Sequence, residues 1–141
     1  MKSSLIPFAL LAFVGSAQAE EIQHLRGVEG LVKVPMHFRN DGPLPMTCKS
    51  SVAHWYSLEL GKANKGETVS VDLWFNPKTG VVALLNEEQF QMPVLALYCG
   101  LAGRSWETRS EIAFERRAGT VPAPVNLTCV DVDDRLVCKP Q

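Results

Sequence analysis

Residues 67–75 read ETVSVDLWF, and polar and apolar side chains alternate along this stretch. Because successive side chains of an extended strand point to opposite faces, every second residue belongs to the same face. The stretch therefore predicts a strand that buries one face and exposes the other. Its buried face contains Val69, Val71, Leu73 and Phe75, and its exposed face contains Thr68, Ser70, Asp72 and Trp74.

The same period of two, interrupted by Gly, Pro, Asn and Asp, continues on both sides of this strand. Residues 94–99 are apolar on both faces, which is typical of a strand in the middle of a sheet. No apolar pattern with a period of 3.6 residues persists for three turns, so we predict an all-β protein. The other strands predicted are a segment from Leu31 to Phe38, a stretch around Met46–Ser50, and residues 52–60, 81–85 and 105–114.

Strands at intervals of about ten residues fit a small β-sandwich, and a jelly roll or a small barrel is the competing architecture. In residues 105–114 the alternation places Trp106, Ile112 and Phe114 on one face, and we expect Trp106 in the core.

The four cysteines, an even number, predict two disulfides that stabilise the fold. A two-residue turn at Asp133-Asp134 would make a hairpin in which Cys129 lies opposite Cys138, at a pair close enough for an S–S bond. Cys48 and Cys99 are then left to pair, and we expect their disulfide to tie the two layers together. The cysteines show no Cys-x-x-Cys spacing, so a redox or zinc site is not indicated.

The order Cys48, Trp55, Tyr98, Cys99 resembles that of an immunoglobulin-like domain. It departs from the antibody pattern in two ways: the gap from Cys48 to Trp55 is shorter, and Tyr98 stands one residue before its cysteine instead of two. An immunoglobulin-like topology is therefore one option for the sandwich, and no specific family is indicated.

Residues 1–19 have the pattern of a secretory signal peptide, with Lys2, an apolar run from Leu5 to Val14, and Ala17-Gln18-Ala19 before the cut. We expect cleavage before Glu20 and a periplasmic or secreted protein. No later stretch approaches the ~20 apolar residues of a membrane helix, so stable membrane insertion is not expected. The domains predicted are a β-sandwich at residues 20–118, and a Pro-containing linker with the disulfide-clipped hairpin at residues 119–141.

The composition, with 46% hydrophobic residues and a net charge of −1, fits one globular domain and excludes a general nucleic-acid binder. No Gly-x-Ser-x-Gly motif is present. Ser50 could share a strand face with His54, but a Ser-His pair also needs an acid that orients the histidine. With the cysteines in disulfides, no thiolate remains as a nucleophile, so we expect no catalytic activity.

Metal ligands are scattered along the chain. Met, His and Asp side chains of the types that hold copper or calcium occur, but no Met-x-Met, His-x-His or His-x-x-x-His repeat clusters two ligands on one element. We therefore predict no metal and no cofactor, with a copper carrier as a minor alternative. The residues considered are Met36, His37, Met46, His54 and Met92 for copper, and Asp131, Asp133 and Asp134 for calcium.

Trp74 is the best candidate for contact with a partner, because its predicted face also carries Asp72, Ser70 and Thr68 as hydrogen-bonding groups. Such a face suits a protein or a glycan of the cell envelope. The sequence thus predicts an exported, non-catalytic β-sandwich that binds or supports another envelope component. The second hypothesis is an inhibitor of a secreted enzyme that presents the Cys129–Cys138 loop.

Overall fold

The structure is a computed structural model, and it describes residues 25–53 and 56–141. The predicted signal peptide and its cut before Glu20 lie outside the described residues, as do His54 and Trp55. Within the described ranges no helix could span a membrane.

The described residues form nine strands and no helix, which confirms the all-β prediction. The strands are β1 (Val32–Asn40), β2 (Met46–Val52), β3 (Tyr56–Ala63), β4 (Thr68–Phe75), β5 (Val82–Leu85), β6 (Gln91–Leu101), β7 (Ser110–Glu111), β8 (Val125–Val132) and β9 (Arg135–Pro140).

One hydrogen-bonded path, in the order β3-β2-β6-β5-β4-β1-β8-β9, folds into two layers. The long strand β6 belongs to both layers, because its residues 91–93 pair with β5 and its residues 94–101 pair with β2. Along the apolar run at residues 94–99, β2 is the neighbour on one side and β7 pairs only with Tyr98 and Cys99 on the other; Leu95 is 53% exposed, so this run is not buried on both faces throughout. The result is a sandwich-like fold with β6 as the strand common to both layers.

The far end of the path returns to the first layer through β7 and β9. β7 pairs with β6, and its flanking residues receive hydrogen bonds from β9. The Leu136 amide donates to the Thr108 carbonyl at 2.8 Å, and the Cys138 amide donates to Ser110 Oγ at 3.1 Å. The layers are therefore joined at this edge by hydrogen bonds as well as by packing.

The C-terminal hairpin is part of the sheet. β8 runs parallel to β1, with Met36 opposite Val125 and Asn40 opposite Cys129. Leu127 and Leu136 are buried in the core. The hairpin therefore packs on the sandwich instead of projecting from it.

The register of this hairpin matches the prediction residue by residue, from Val132 opposite Arg135 to Cys129 opposite Cys138. Asp133 and Asp134 have φ angles of 50° and 61°, the left-handed conformation that a two-residue type I′ turn requires at both positions. Cys129 and Cys138 form a disulfide, as expected.

Cys48 and Cys99 also form a disulfide, but its predicted role was wrong. The two cysteines lie directly opposite each other on β2 and β6, which are neighbouring strands of one layer. In immunoglobulin domains the corresponding disulfide joins the two layers. The immunoglobulin-like option is therefore not confirmed.

The two disulfides instead meet across the interface between the layers. The Sγ atoms of Cys99, Cys129 and Cys138 all lie within 4.8 Å of one another. Cys48, Cys99 and Cys129 are completely buried. Contact between sulfur atoms in the core thus replaces the covalent link that was expected between the layers.

Two predicted strands differ from the observed ones. Val52 ends β2 and faces Tyr56 at the start of β3, so residues 52–60 contain a chain reversal instead of one strand. In residues 105–114 only Ser110 and Glu111 are in a strand. The Thr108 amide and hydroxyl both donate to the Arg104 carbonyl, which makes a turn where the alternation predicted extended chain.

Trp106, expected in the core, is 56% exposed. It lies on the turn at residues 104–108 and covers the outer side of Tyr98, with ring centroids 5.5 Å apart. The guanidinium of Arg109 stacks over the Trp106 ring at 3.9 Å. The turn therefore places Trp106 over the outer face of β6, whereas Ile112 is buried and Phe114 packs against the core.

Asn40 is completely buried and holds three segments together. Its Nδ2 donates to the carbonyls of Leu44 and Ala63, at 2.8 and 2.9 Å, and its Oδ1 accepts from the Gly42 amide at 3.0 Å. Both Nδ2 and Oδ1 of Asn40 thus bond to backbone groups. These hydrogen bonds fix the β1–β2 connection against the end of β3.

We predict that removal of the Cys48–Cys99 disulfide costs more stability than removal of Cys129–Cys138. The first closes a separation of 51 residues and the second one of 9. The chain-entropy relation then gives losses of about 4 and about 2.5 kcal/mol. Urea unfolding of Cys48→Ala/Cys99→Ala and Cys129→Ala/Cys138→Ala measures both, and equal losses would contradict the prediction.

We predict that Asn40→Asp destabilises the fold by about 3 kcal/mol at neutral pH, because an ionised carboxylate cannot donate to two buried carbonyls. Burial and these acceptors raise the pKa of the introduced carboxyl in the folded state. The loss therefore shrinks on acidification and grows as the pH rises through that raised pKa. Urea unfolding against pH tests this, with Asn126→Asp at an exposed position as the control.

Candidate functional site

The side chains predicted to bind a partner lie on the outer face of β4. Thr68, Ser70 and Asp72 are exposed and Trp74 is half-buried. The inward residues Val69, Leu73 and Phe75 are buried, so the predicted alternation is confirmed. Binding by the outer residues stays a prediction.

Two of these outer groups already have partners on β1. Lys33 Nζ lies 3.0 Å from Asp72 Oδ2, and His37 Nδ1 shares a hydrogen bond of 2.9 Å with Ser70 Oγ. Trp74 stands opposite Lys33. A ligand on this face would have to replace or share these contacts.

A second candidate site, which the sequence did not reveal, is an open cleft of about 710 Å³ between the layers. One wall is the first half of β3, and the other comprises Val71 on β4 and the β5–β6 connection. The lining residues are Tyr56, Leu58, Glu59, Leu60, Val71, Leu84, Leu85, Asn86, Glu87, Glu88 and Met92.

The cleft exists because the two layers separate at this end. In the described part of the chain, β3 pairs only with β2, and residues 68–73 of β4 pair only with β1. Leu58, Leu60 and Met92 pack against the core but are only partly buried. An apolar floor therefore remains open to solvent between two strand edges.

Carboxylates line the rim of this apolar floor. Glu59, Glu87 and Glu88 are exposed, and Lys62 Nζ lies 3.9 Å from Glu59 Oε1. Glu87 and Glu88 make no ion pair with any described residue. Tyr56, 58% exposed, adds a phenol at the entrance. The cleft is suited to an apolar group that carries positive charge at its edge.

The backbone of the rim at residues 86–90 is held in place by the Asn86 side chain and by the segment around Gly27. Asn86 Oδ1 accepts hydrogen bonds from the amides of Glu88 and Phe90, at 3.0 and 2.9 Å. Gln89 has a φ of 67°, and its carbonyl accepts from the Gly27 amide at 2.8 Å. These bonds fix the backbone that carries Glu87 and Glu88.

Several described residues that were considered for catalysis or metal binding lie in the core or on the outer face of the sheet. Ser50 is completely buried, and its Oγ donates to the Ala96 carbonyl at 3.1 Å. Met36 and Met46 are completely buried in the core, whereas His37 faces the outside of the sheet. The sulfur atoms that cluster in the core belong to disulfides and carry no thiolate charge for a metal.

The tip of the C-terminal hairpin is fixed by an ion pair. Arg104 donates through Nη1 and Nη2 to both carboxylate oxygens of Asp134, at 2.8 and 2.6 Å. This hydrogen bond, and then the guanidinium charge, lowers the pKa of Asp134. On the connection to β8, hydrogen bonds from Arg117 similarly lower the pKa of Glu115 to about 2.

Sequence reasoning found single residues of the cleft but not the cleft itself. Residues 52–60, which include Leu58 and Leu60, were predicted to be a strand, and Met92 was considered as a possible soft ligand. The contribution of Glu87 and Glu88 depends on how the β5–β6 connection approaches β3, which no local pattern shows.

Comparisons of the chain with protein-family models, with curated proteins and with solved structures found no significant match.

We predict that Arg104→Gln raises the pKa of Asp134 toward its usual value of 3.8, because the variant loses the guanidinium charge and its two donors. In the native protein the ion pair persists above the lowered pKa and is lost as the pH falls through it. An NMR titration of the Asp134 carboxyl carbon measures the change. Arg39→Gln, which removes the partner of Asp41 instead, should leave Asp134 unchanged.

Proposed function

We propose that this chain is an exported, non-catalytic protein that binds or supports another component of the cell envelope, and that the cleft beside β3 is where it binds. The partner is a protein or a glycan, and no nucleic acid is involved. The observation that carries the proposal is a groove of about 710 Å³ in which core side chains stay open to solvent under a rim of carboxylates.

The apolar floor supports binding because exposed apolar surface in a soluble fold is costly unless a partner covers it. Leu58, Leu60 and Met92 are continuous with the core, so a ligand that covers them extends a packed interior. The rigid backbone at residues 86–90 keeps the rim in place before binding, which reduces the ordering cost of association.

Two disulfides support the proposed compartment. Disulfides of this kind form and persist in oxidising environments, such as the bacterial periplasm and the extracellular space. The fold contains both bonds in or beside its core, which fits a periplasmic or secreted protein.

The cleft is a better site than the outer face of β4 or the hairpin tip. Asp72 and Ser70 on the outer face are engaged by β1, and Asp134 at the tip is engaged by Arg104. At the cleft, the carboxylates of Glu87 and Glu88 form no ion pair with any described residue, although Arg26 Nε donates to the backbone carbonyl of Glu88 at 2.8 Å, and apolar area is exposed beside them.

The proposal predicts that an envelope partner is lost when the cleft is altered. We expect Met92→Glu, which puts a fourth carboxylate beside the apolar floor, and Tyr56→Ala, which truncates an exposed side chain, both to abolish capture of the partner from an envelope extract. Thermal unfolding of each variant shows whether it still folds.

Val132→Glu is the matched control, since Val132 is 48% exposed and lies beside the hairpin turn. It should retain the partner. Loss of the partner in Val132→Glu alone would favour the enzyme-inhibitor hypothesis, in which the Cys129–Cys138 hairpin makes the contact. Retention of the partner in both folded cleft variants would contradict the proposal.

A further inference from the structure

We infer that the cleft takes an extended peptide segment of its partner as an additional strand along β3, with apolar side chains at alternate positions and Lys or Arg between them. This inference rests on the proposed function, because it specifies the ligand of the same cleft.

β3 has a free edge in the described part of the chain. Across the described chain β3 pairs with β2 on one side only, so the outward N–H and C=O groups of its first half face the cleft. An unpaired strand edge is a template for a further strand, and a peptide added there gains main-chain hydrogen bonds irrespective of its sequence.

The apolar side chains of β3 that line the cleft have the period-two spacing of a strand. Leu58 and Leu60 are two residues apart on β3 and both pack against the core. A peptide paired with β3 has the same period of two, so its alternate side chains would reach the same floor. The half-buried Val71 and Met92 lie opposite and would contact those side chains from the other layer.

The length of β3 that lines the cleft fits a short extended segment. The part of β3 that lines the cleft, residues 56–60, spans about 17 Å at roughly 3.3 Å per residue. A segment of five or six residues fills this length. A compact ligand would contact the floor but leave most of the β3 edge unpaired.

The negative charge of the cleft rim favours a cationic peptide. On an added strand, side chains that do not enter the cleft lie beside the outer face of β3, which carries Glu59, and Glu87 and Glu88 line the mouth of the same cleft. Cationic side chains are attracted there and anionic ones are repelled. A second copy of this chain, paired edge to edge through β3, would bring two such acidic rims together, so a different partner is favoured.

The test uses the complete oxidised chain and two pools of nine-residue peptides. Both pools have Val, Ile or Phe at odd positions; one has Lys or Arg at even positions and the other Asp or Glu. We expect the basic pool alone to bind, and to slow amide hydrogen exchange at alternate residues of β3 in NMR spectra. The basic peptides with N-methyl groups on their backbone amides, which keep every side chain and charge but cannot donate to a strand edge, should not bind.

Protein variants separate charge from shape. Glu87→Gln/Glu88→Gln should weaken binding of the basic pool about tenfold, since the variant loses two exposed carboxylates that would pair with the peptide's cations. Glu107→Gln/Glu111→Gln, at exposed positions outside the cleft, should bind as the native chain does. Equal binding of the acidic pool, or an equal loss in both double variants, overturns the charge assignment.

Outcomes for this inference and for the proposed function are distinguishable. If neither pool binds, or if peptides bind without protecting β3 amides, strand addition is wrong even where Met92→Glu loses the envelope partner. If the basic pool binds and protects β3 while the cleft variants keep that partner, the envelope assignment fails and the peptide site stands. A dimer that protects the β3 amides in sedimentation and exchange measurements without peptide would show a second copy as the occupant, and would overturn the inference.

Discussion

The contact between the two disulfides is the constraint on which the two-layer arrangement depends. Each disulfide joins neighbouring strands of its own layer, and the sulfur atoms of Cys99, Cys129 and Cys138 meet within 4.8 Å between the layers. Sulfur is large and polarisable, so this contact packs the interface between the layers. The bonds also hold β2 to β6 and β8 to β9, so each layer meets the other as a preformed unit.

The tied end and the open end of the sandwich are consequences of the same geometry. Asn40, Ala63 and the cysteines lie at one end of the strands, where side-chain hydrogen bonds and sulfur contacts join the layers. The other end of β3, at Tyr56, lies away from these contacts, and the layers separate there. The cleft is therefore a part of the interior that the architecture leaves uncovered, and its apolar floor needs no special sequence motif.

The sequence predicted the features that depend on neighbouring residues. The alternation at residues 67–75 and the Asp133-Asp134 turn are local, and the structure confirms both, including the pairing of Cys129 with Cys138. The sequence did not predict the features that depend on contacts between distant segments of the chain. Trp106 stands at an alternating position, yet it is exposed, because Thr108 closes a hydrogen-bonded turn onto Arg104. The cleft was missed for the same reason: its two walls come from β3 and from β4 with the β5–β6 hairpin, which are separate segments of the chain.

The parallel pairing of β1 with β8 determines when the fold can be completed. β1 acquires its first neighbour, β4, after β2 and β3 have been made, but its second neighbour, β8, follows only after β5, β6 and β7. During synthesis the first strand therefore has an exposed side until β8 has emerged. Such a topology makes assembly a late event with slow loop closure, and a truncated chain would leave the β1 edge available for aggregation.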